Sequence, residues 1–193
     1  VAALIRFAAV ALVLLPAIAA AEPRPTFIAQ AGRVVAAALP AAVLAEKEVE
    51  KQLRTGLTTT FVLVARQRDS ERKGAARIEI RFDLWDEVWI VRKIEFDGRE
   101  DRQRIATREL LEKWWSAPLR MFVAAADRVA LNVTLTVLPF SAAEGEDARQ
   151  WISKSGGVAQ TEGGSPLVAA LIGTTLSAKP IRSYRWQTEL VFR

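Results

Sequence analysis

The chain has 193 residues, 51% of them hydrophobic and 25% charged, with a formal net charge of +5 and neither histidine nor cysteine. The two missing residue types exclude serine–histidine triads, thiolate nucleophiles, disulfides, and zinc or iron–sulfur sites built on Cys or His. Chemistry is left to carboxylates, Lys, Arg, Tyr and hydroxyls, and the sequence assigns no catalytic residue, metal ligand or cofactor.

Residues 1–21 read VAALIRFAAVALVLLPAIAAA. Arg6 precedes an apolar run from Phe7 to Ile18, Pro16 interrupts it, and Ala19 and Ala21 occupy the small-residue positions of an A-x-A site. That is the pattern of a signal peptide cleaved after Ala21. The run is short for a bilayer span, which takes about 20 residues; an uncleaved anchor is the alternative, and no transmembrane span is expected after cleavage. Residues 22–32 read as a linker and 33–193 as one globular domain, a length that suits a single core.

Val34 to Leu39 suits a strand that Pro40 ends. Glu46 to Thr55 reads as a helix, with Val49 and Leu53 four apart and Gly56 at the capping position. Three strands follow: Leu57 to Arg66, Ala76 to Leu84 and Val88 to Phe96. The second alternates Ala76, Ile78, Ile80, Phe82 and Leu84 against Arg77, Glu79, Arg81 and Asp83, a half-buried strand with a period of two. The third is expected to bury Val88, Ile90, Ile94 and Phe96 and to turn Trp89 and Val91 outward. Asp69–Gly74 and Trp85–Glu87 are the turns between them. Asp97 with Glu100 resembles a capping box that opens a helix running to about Trp115. Met121 to Ala126 reads as a connector or short helix. Val129 to Pro139 alternates again as a strand. Further helices are expected from Ser141, through its capping box with Glu144, to Ile152, and from Ser165-Pro166 up to Lys179-Pro180. Between them lies a Gly-rich loop. Tyr184, Trp186, Thr188, Leu190 and Phe192 share one face of a final strand.

Hairpin-length connections imply antiparallel pairing, and strands with one apolar face need a covering layer. The expected class is therefore α+β, a mostly antiparallel sheet with helices on one face or at its rim. The runner-up is a two-sheet sandwich with helices as decoration.

Few residues invite a functional reading. Asp83, Asp86 and Glu87 cluster at a hairpin tip without the spacing of a calcium loop, and Ser70 and Lys73 sit in a polar turn without the partner motifs of serine–lysine enzymes. Interleaved charges from Arg66 to Arg108 suit a solvated surface better than a nucleic-acid stripe. Six Trp residues are the surplus. Trp85, Trp89 and Val91 on one outer face, with Trp115 at a helix end, are the candidate binding residues, because aromatics with a polar edge suit interfaces.

The segments QLRTGLTTTFVLVAR, FDLWDEVWIVR and VLPFSAAEGEDARQW, in this order, resemble a family of small exported bacterial proteins known only as a domain of unknown function. The resemblance covers about residues 33–155 and implies an envelope protein, with no activity and no site residues attached. The function expected is thus a non-enzymatic periplasmic or envelope protein that binds an envelope protein, lipid or glycan through a sheet face or edge. The rivals are a carboxylate- or hydroxyl-based hydrolase of envelope glycans and a carrier of lipid or small apolar ligands.

Overall fold

A computed structural model describes residues 22–139 and 179–192. The leader and the helices expected at Ser141 and Ser165 lie outside the described residues. Nine strands are described: β1 Thr26–Gln30, β2 Val34–Ala38, β3 Thr59–Gln67, β4 Lys73–Asp83, β5 Val88–Ile94, β6 Glu100–Ile105, β7 Leu119–Val123, β8 Arg128–Leu138 and β9 Arg182–Val191. Two α-helices, α1 Lys47–Leu53 and α2 Arg108–Ser116, complete the framework. All pairing is antiparallel, in a six-stranded sheet ordered β6-β5-β4-β3-β8-β9 and a three-stranded sheet ordered β1-β2-β7. The mostly antiparallel α+β class is what the chain adopts; the layer covering the large sheet is itself partly a sheet.

Period-two alternation fixes which face is covered. Phe61 and Leu63 of β3, Ile78 and Ile80 of β4, Val133 and Leu135 of β8, and Tyr184 and Trp186 of β9 are buried on one side. The same strands send Arg77 and Glu79 to the opposite face, where Glu79 pairs with Arg77 at 3.3 Å and with Arg92 at 3.4 Å. The small sheet lies across the apolar side, β7 against β4 and β1 against β9. Helix α2 buries Leu111, Trp114 and Trp115, a stripe at the three- and four-residue spacing that one helical face demands. Trp115 is its deepest anchor. Its ring meets Phe61 edge-on with centroids 4.7 Å apart, and its indole N–H donates to the Pro40 carbonyl at 3.0 Å.

Several elements depart from expectation. Thr26–Gln30, within the stretch read as a linker, pairs along its whole length with β2. The capping box at Asp97 is instead a hairpin turn: Gly98 has φ +84°, the Glu95 N–H donates to the Arg99 carbonyl, and Glu100–Ile105 returns as β6 beside β5. Asp-Gly is the strongest short hairpin signal, and here it prevails over the helix cap. The helix starts ten residues later, where the Thr107 hydroxyl accepts from Leu110 N–H. Leu119–Val123 is a strand rather than a connector or helix, held by β2.

The register of β5 is the reverse of the one expected from Val88 to Lys93, while Ile94 is buried as expected. Trp89, Val91 and Lys93 face the covered side and are buried, whereas Val88, Ile90 and Arg92 are only half-buried. Both faces of this strand are apolar at the start, so alternation alone gives no direction. Phe82, expected in the core, is half-buried with its ring 4.7 Å from that of Trp89.

Gly74 marks the tightest approach between the layers. A Cβ there would strike the Met121 carbonyl oxygen and the Phe122 Cα. Trp115→Ala is expected to cost about 3–5 kcal/mol, as for other buried Trp truncations, and Gly74→Ala to destabilise as well by prising β7 from β4. Chemical denaturation measures both, and an unchanged midpoint for either variant contradicts this layer arrangement.

Candidate functional site

The β4–β5 hairpin carries the most exposed aromatic of the described chain. Trp85 is 95% exposed and Leu84 60%, with Leu57 at 50% on the chain that follows α1. The tip is held by its own acids. Asp83 Oδ1 accepts from Trp85 N–H at 3.0 Å and from Asp86 N–H at 3.3 Å, and these bonds, Asp86 first, hold its carboxyl below the ordinary range. Asp86 pairs with Arg104 at 2.5 Å. Asp83 and Asp86 are thus engaged in building the turn and bracing it to β6. Among the described residues no group of three or more acidic side chains gathers as a cation site.

The other three residues expected at an outer binding face are not on one. Trp89 and Val91 lie beneath the covering layer because of the β5 register, and Trp115 is enclosed between Phe61 and Pro40. Trp85 stands alone at the surface, so the aromatic outer face expected from the sequence does not form.

Lys93 is the most perturbed base. It is 5% exposed, and its ammonium donates to the carbonyls of Trp114 at 2.5 Å and Ala117 at 2.9 Å. These are C-terminal carbonyls of α2, where a cation satisfies orphan acceptors and complements the helix dipole. The charge also lies 4.5 Å from the centroid of the Trp114 ring, whose N–H donates to Asp101 at 2.8 Å. Burial pulls Lys93 down to about 8, against Asp101 and Glu95, which hold it up. Its contacts are those of a helix cap.

The remaining feature is an open edge. Strand β9 pairs with β8 over ten residues, and its other edge pairs with no strand among the described residues. Phe192 N–H donates to Asp127 O at 2.7 Å, in register with the β8–β9 ladder. Backbone groups alternate in direction along an antiparallel strand, so the N–H and C=O of Ser183, Arg185, Gln187 and Glu189 point to the free edge. The opposite edge of the sheet is different in kind. Strand β6 spans six residues, and only Ile105 is buried.

Strand β1 approaches β9 beside residues 186–190 and leaves a groove of about 340 Å³ floored by Phe27 and Trp186. A second groove of about 510 Å³ runs over the β8–β9 pair, lined by Arg24, by Asn132–Thr134 of β8 and by Arg185–Gln187 of β9. Trp186 is buried, and its indole N–H has no hydrogen-bond partner. Close by, burial pushes the Tyr184 phenol well up, with the Glu46 carboxylate adding to the effect, and Arg182 holds Glu46 at 3.2 Å. Neither Arg24 nor an edge groove was singled out from the sequence; the free edge depends on which strands pair, which no local pattern states.

A scan against protein-family models, a search of curated proteins and a search of solved structures each return no match. No helix among the described residues is long and apolar enough to cross a membrane.

Lys93 gives stability a defined pH dependence. In the unfolded chain a lysine titrates near 10.4, so between about pH 8 and 10 the unfolded state holds more protons than the folded one, and stability rises with pH. The gain is bounded by about 3 kcal/mol, and above about pH 10 the raised Tyr184 opposes it. Denaturation at fixed salt between pH 7 and 10 is expected to show the rise, and Lys93→Met to abolish it. A flat profile in the parent protein contradicts the burial of a charged Lys93.

Proposed function

We propose that this is an exported envelope protein without catalytic activity, which binds another envelope protein by accepting an extended segment of it along the free edge of β9. The reading of export rests on the leader pattern of residues 1–21 and on the resemblance of residues 33–155 to exported proteins. The binding mode rests on one observation, the ten-residue edge strand whose outer backbone groups pair with nothing among the described residues. A long unpaired edge is a template for a further strand, and proteins that do not use such an edge blunt it with short, charged or covered strands. Strand β6 is short and charged; β9 is long and bordered by grooves. A sheet face is the weaker choice, since Trp89 and Val91 are buried.

A photocrosslinking residue at Arg185 in living cells tests this. A discrete adduct is expected in the exported fraction, and Gln187→Pro in the same chain is expected to abolish it. That proline removes an N–H facing the free edge and leaves the β8 ladder intact. The same probe at Glu48 on α1 should give none. No adduct at Arg185, or one indifferent to Gln187→Pro, overturns the reading.

A further inference from the structure

We infer that the segment accepted by β9 is an acidic extended peptide, docked beside Ser183–Gln187 with its carboxylates toward Arg24 and Arg185; this rests on the edge-binding reading above. Strand β1 approaches β9, with Phe27 beside residues 186–190, so the N-terminal half is the stretch farther from β1. There the larger groove is lined by two guanidinium groups and no carboxylate.

The position of these two arginines sets them apart. Along β9, Arg182 is held by Glu46 at 3.2 Å, and Glu189 is held by Arg68 at 2.7 Å. Elsewhere, Arg92, Arg104 and Arg120 each close an ion pair. Arg24 and Arg185 have no ion-pair partner among the described residues, as is also true of Arg66, Arg72 and Arg128, but these two line one groove, which runs over Asn132–Thr134 of β8 and Arg185–Gln187 of β9 and adjoins the outer edge of β9. Charge left unpaired beside an unpaired edge is complementary to a strand bearing the opposite sign. The geometry also matches a strand in its periodicity: the free N–H groups of Ser183, Arg185 and Gln187 recur every second residue, so an added strand pairs with them and turns alternate side chains to each face. Side chains on the outer face fall beside the exposed Arg185, and those on the inner face fall over Trp186, whose buried flank suits an aliphatic residue. The peptide chemistry is therefore an alternation of acidic and β-branched apolar residues. A free anion would use the guanidinium pair but not the edge, which is why a peptide is favoured.

The test uses the purified protein and three fluorescein-labelled, N-acetylated eight-residue peptides, followed by anisotropy at low and physiological salt. One alternates Val and Glu, one alternates Val and Lys, and one repeats the Val/Glu sequence with alternate backbone nitrogens methylated. The Val/Glu peptide is expected to bind, the Val/Lys peptide to bind at least tenfold more weakly, and methylation to abolish binding. Combined Arg24→Ala and Arg185→Ala should weaken the Val/Glu peptide at least tenfold and remove most of its salt dependence; both side chains are at the surface, and an unchanged unfolding midpoint verifies the variant. If Val/Lys binds as well as Val/Glu while methylation still abolishes binding, the acidic preference is overturned and edge docking stands. If Val/Glu binding survives methylation, the site is an anion site only, and edge docking falls with the proposal. If no peptide binds, both are overturned.

Discussion

A sheet six strands wide with a broad apolar face has to be covered there, and among the described residues narrower pieces cover it. Strands lie about 4.8 Å apart, so the large sheet spans roughly 24 Å across its strand axes and the three-stranded sheet only about 10 Å. The shortfall is met differently at the two ends. Under β5 and β6, helix α2 fills in, with Trp114 and Trp115 as its buried mass and Lys93 tying its C-terminus to the sheet. At the other end β1 reaches β9 but does not pair with it, and among the described residues two grooves lie beside the pair. The proposed binding edge is thus the place where the cover runs out.

The Lys93 contacts show why the α2 end is closed. Burying an ammonium is unfavourable unless hydrogen bonds replace its water, and here two helix carbonyls and an aromatic face do so. The arrangement places a titrating group deep in the fold without giving it a substrate cavity. The contacts at this position are those of a helix cap.

Strands with one polar face were legible from residues alone. In β4 and β8 the sequence alternates clearly, and the buried set Val129, Leu131, Val133, Leu135 and Val137 is the one the pattern gives, although Leu138 is buried as well. The last strand was legible for the same reason. Strand β5 was not, because Trp89, Ile90 and Val91 are apolar in succession and Lys93 lies on the buried face only by virtue of α2 carbonyls more than twenty residues away. Strand β6 was hidden by its polarity: EDRQRI carries no alternation to read, and its identity comes from the Asp97-Gly98 turn and from pairing with β5. The candidate site follows the same logic. Trp85 at a hairpin tip is exposed for a local reason that a sequence displays. Trp89, Val91 and Trp115 are buried by tertiary packing, and Arg24 joins the groove only through the path of an N-terminal strand read as a linker.

The central claim is that one edge of β9, unpaired among the described residues, is free, and amide hydrogen exchange along that strand measured by NMR tests it most directly. The account predicts a two-residue alternation in the N-terminal half of the strand: slow exchange at Tyr184 and Trp186, whose N–H groups bond to β8, and fast exchange at Ser183, Arg185 and Gln187, whose N–H groups face solvent. Uniform protection of all five amides in the isolated protein would mean that the edge is already paired, and would contradict the account.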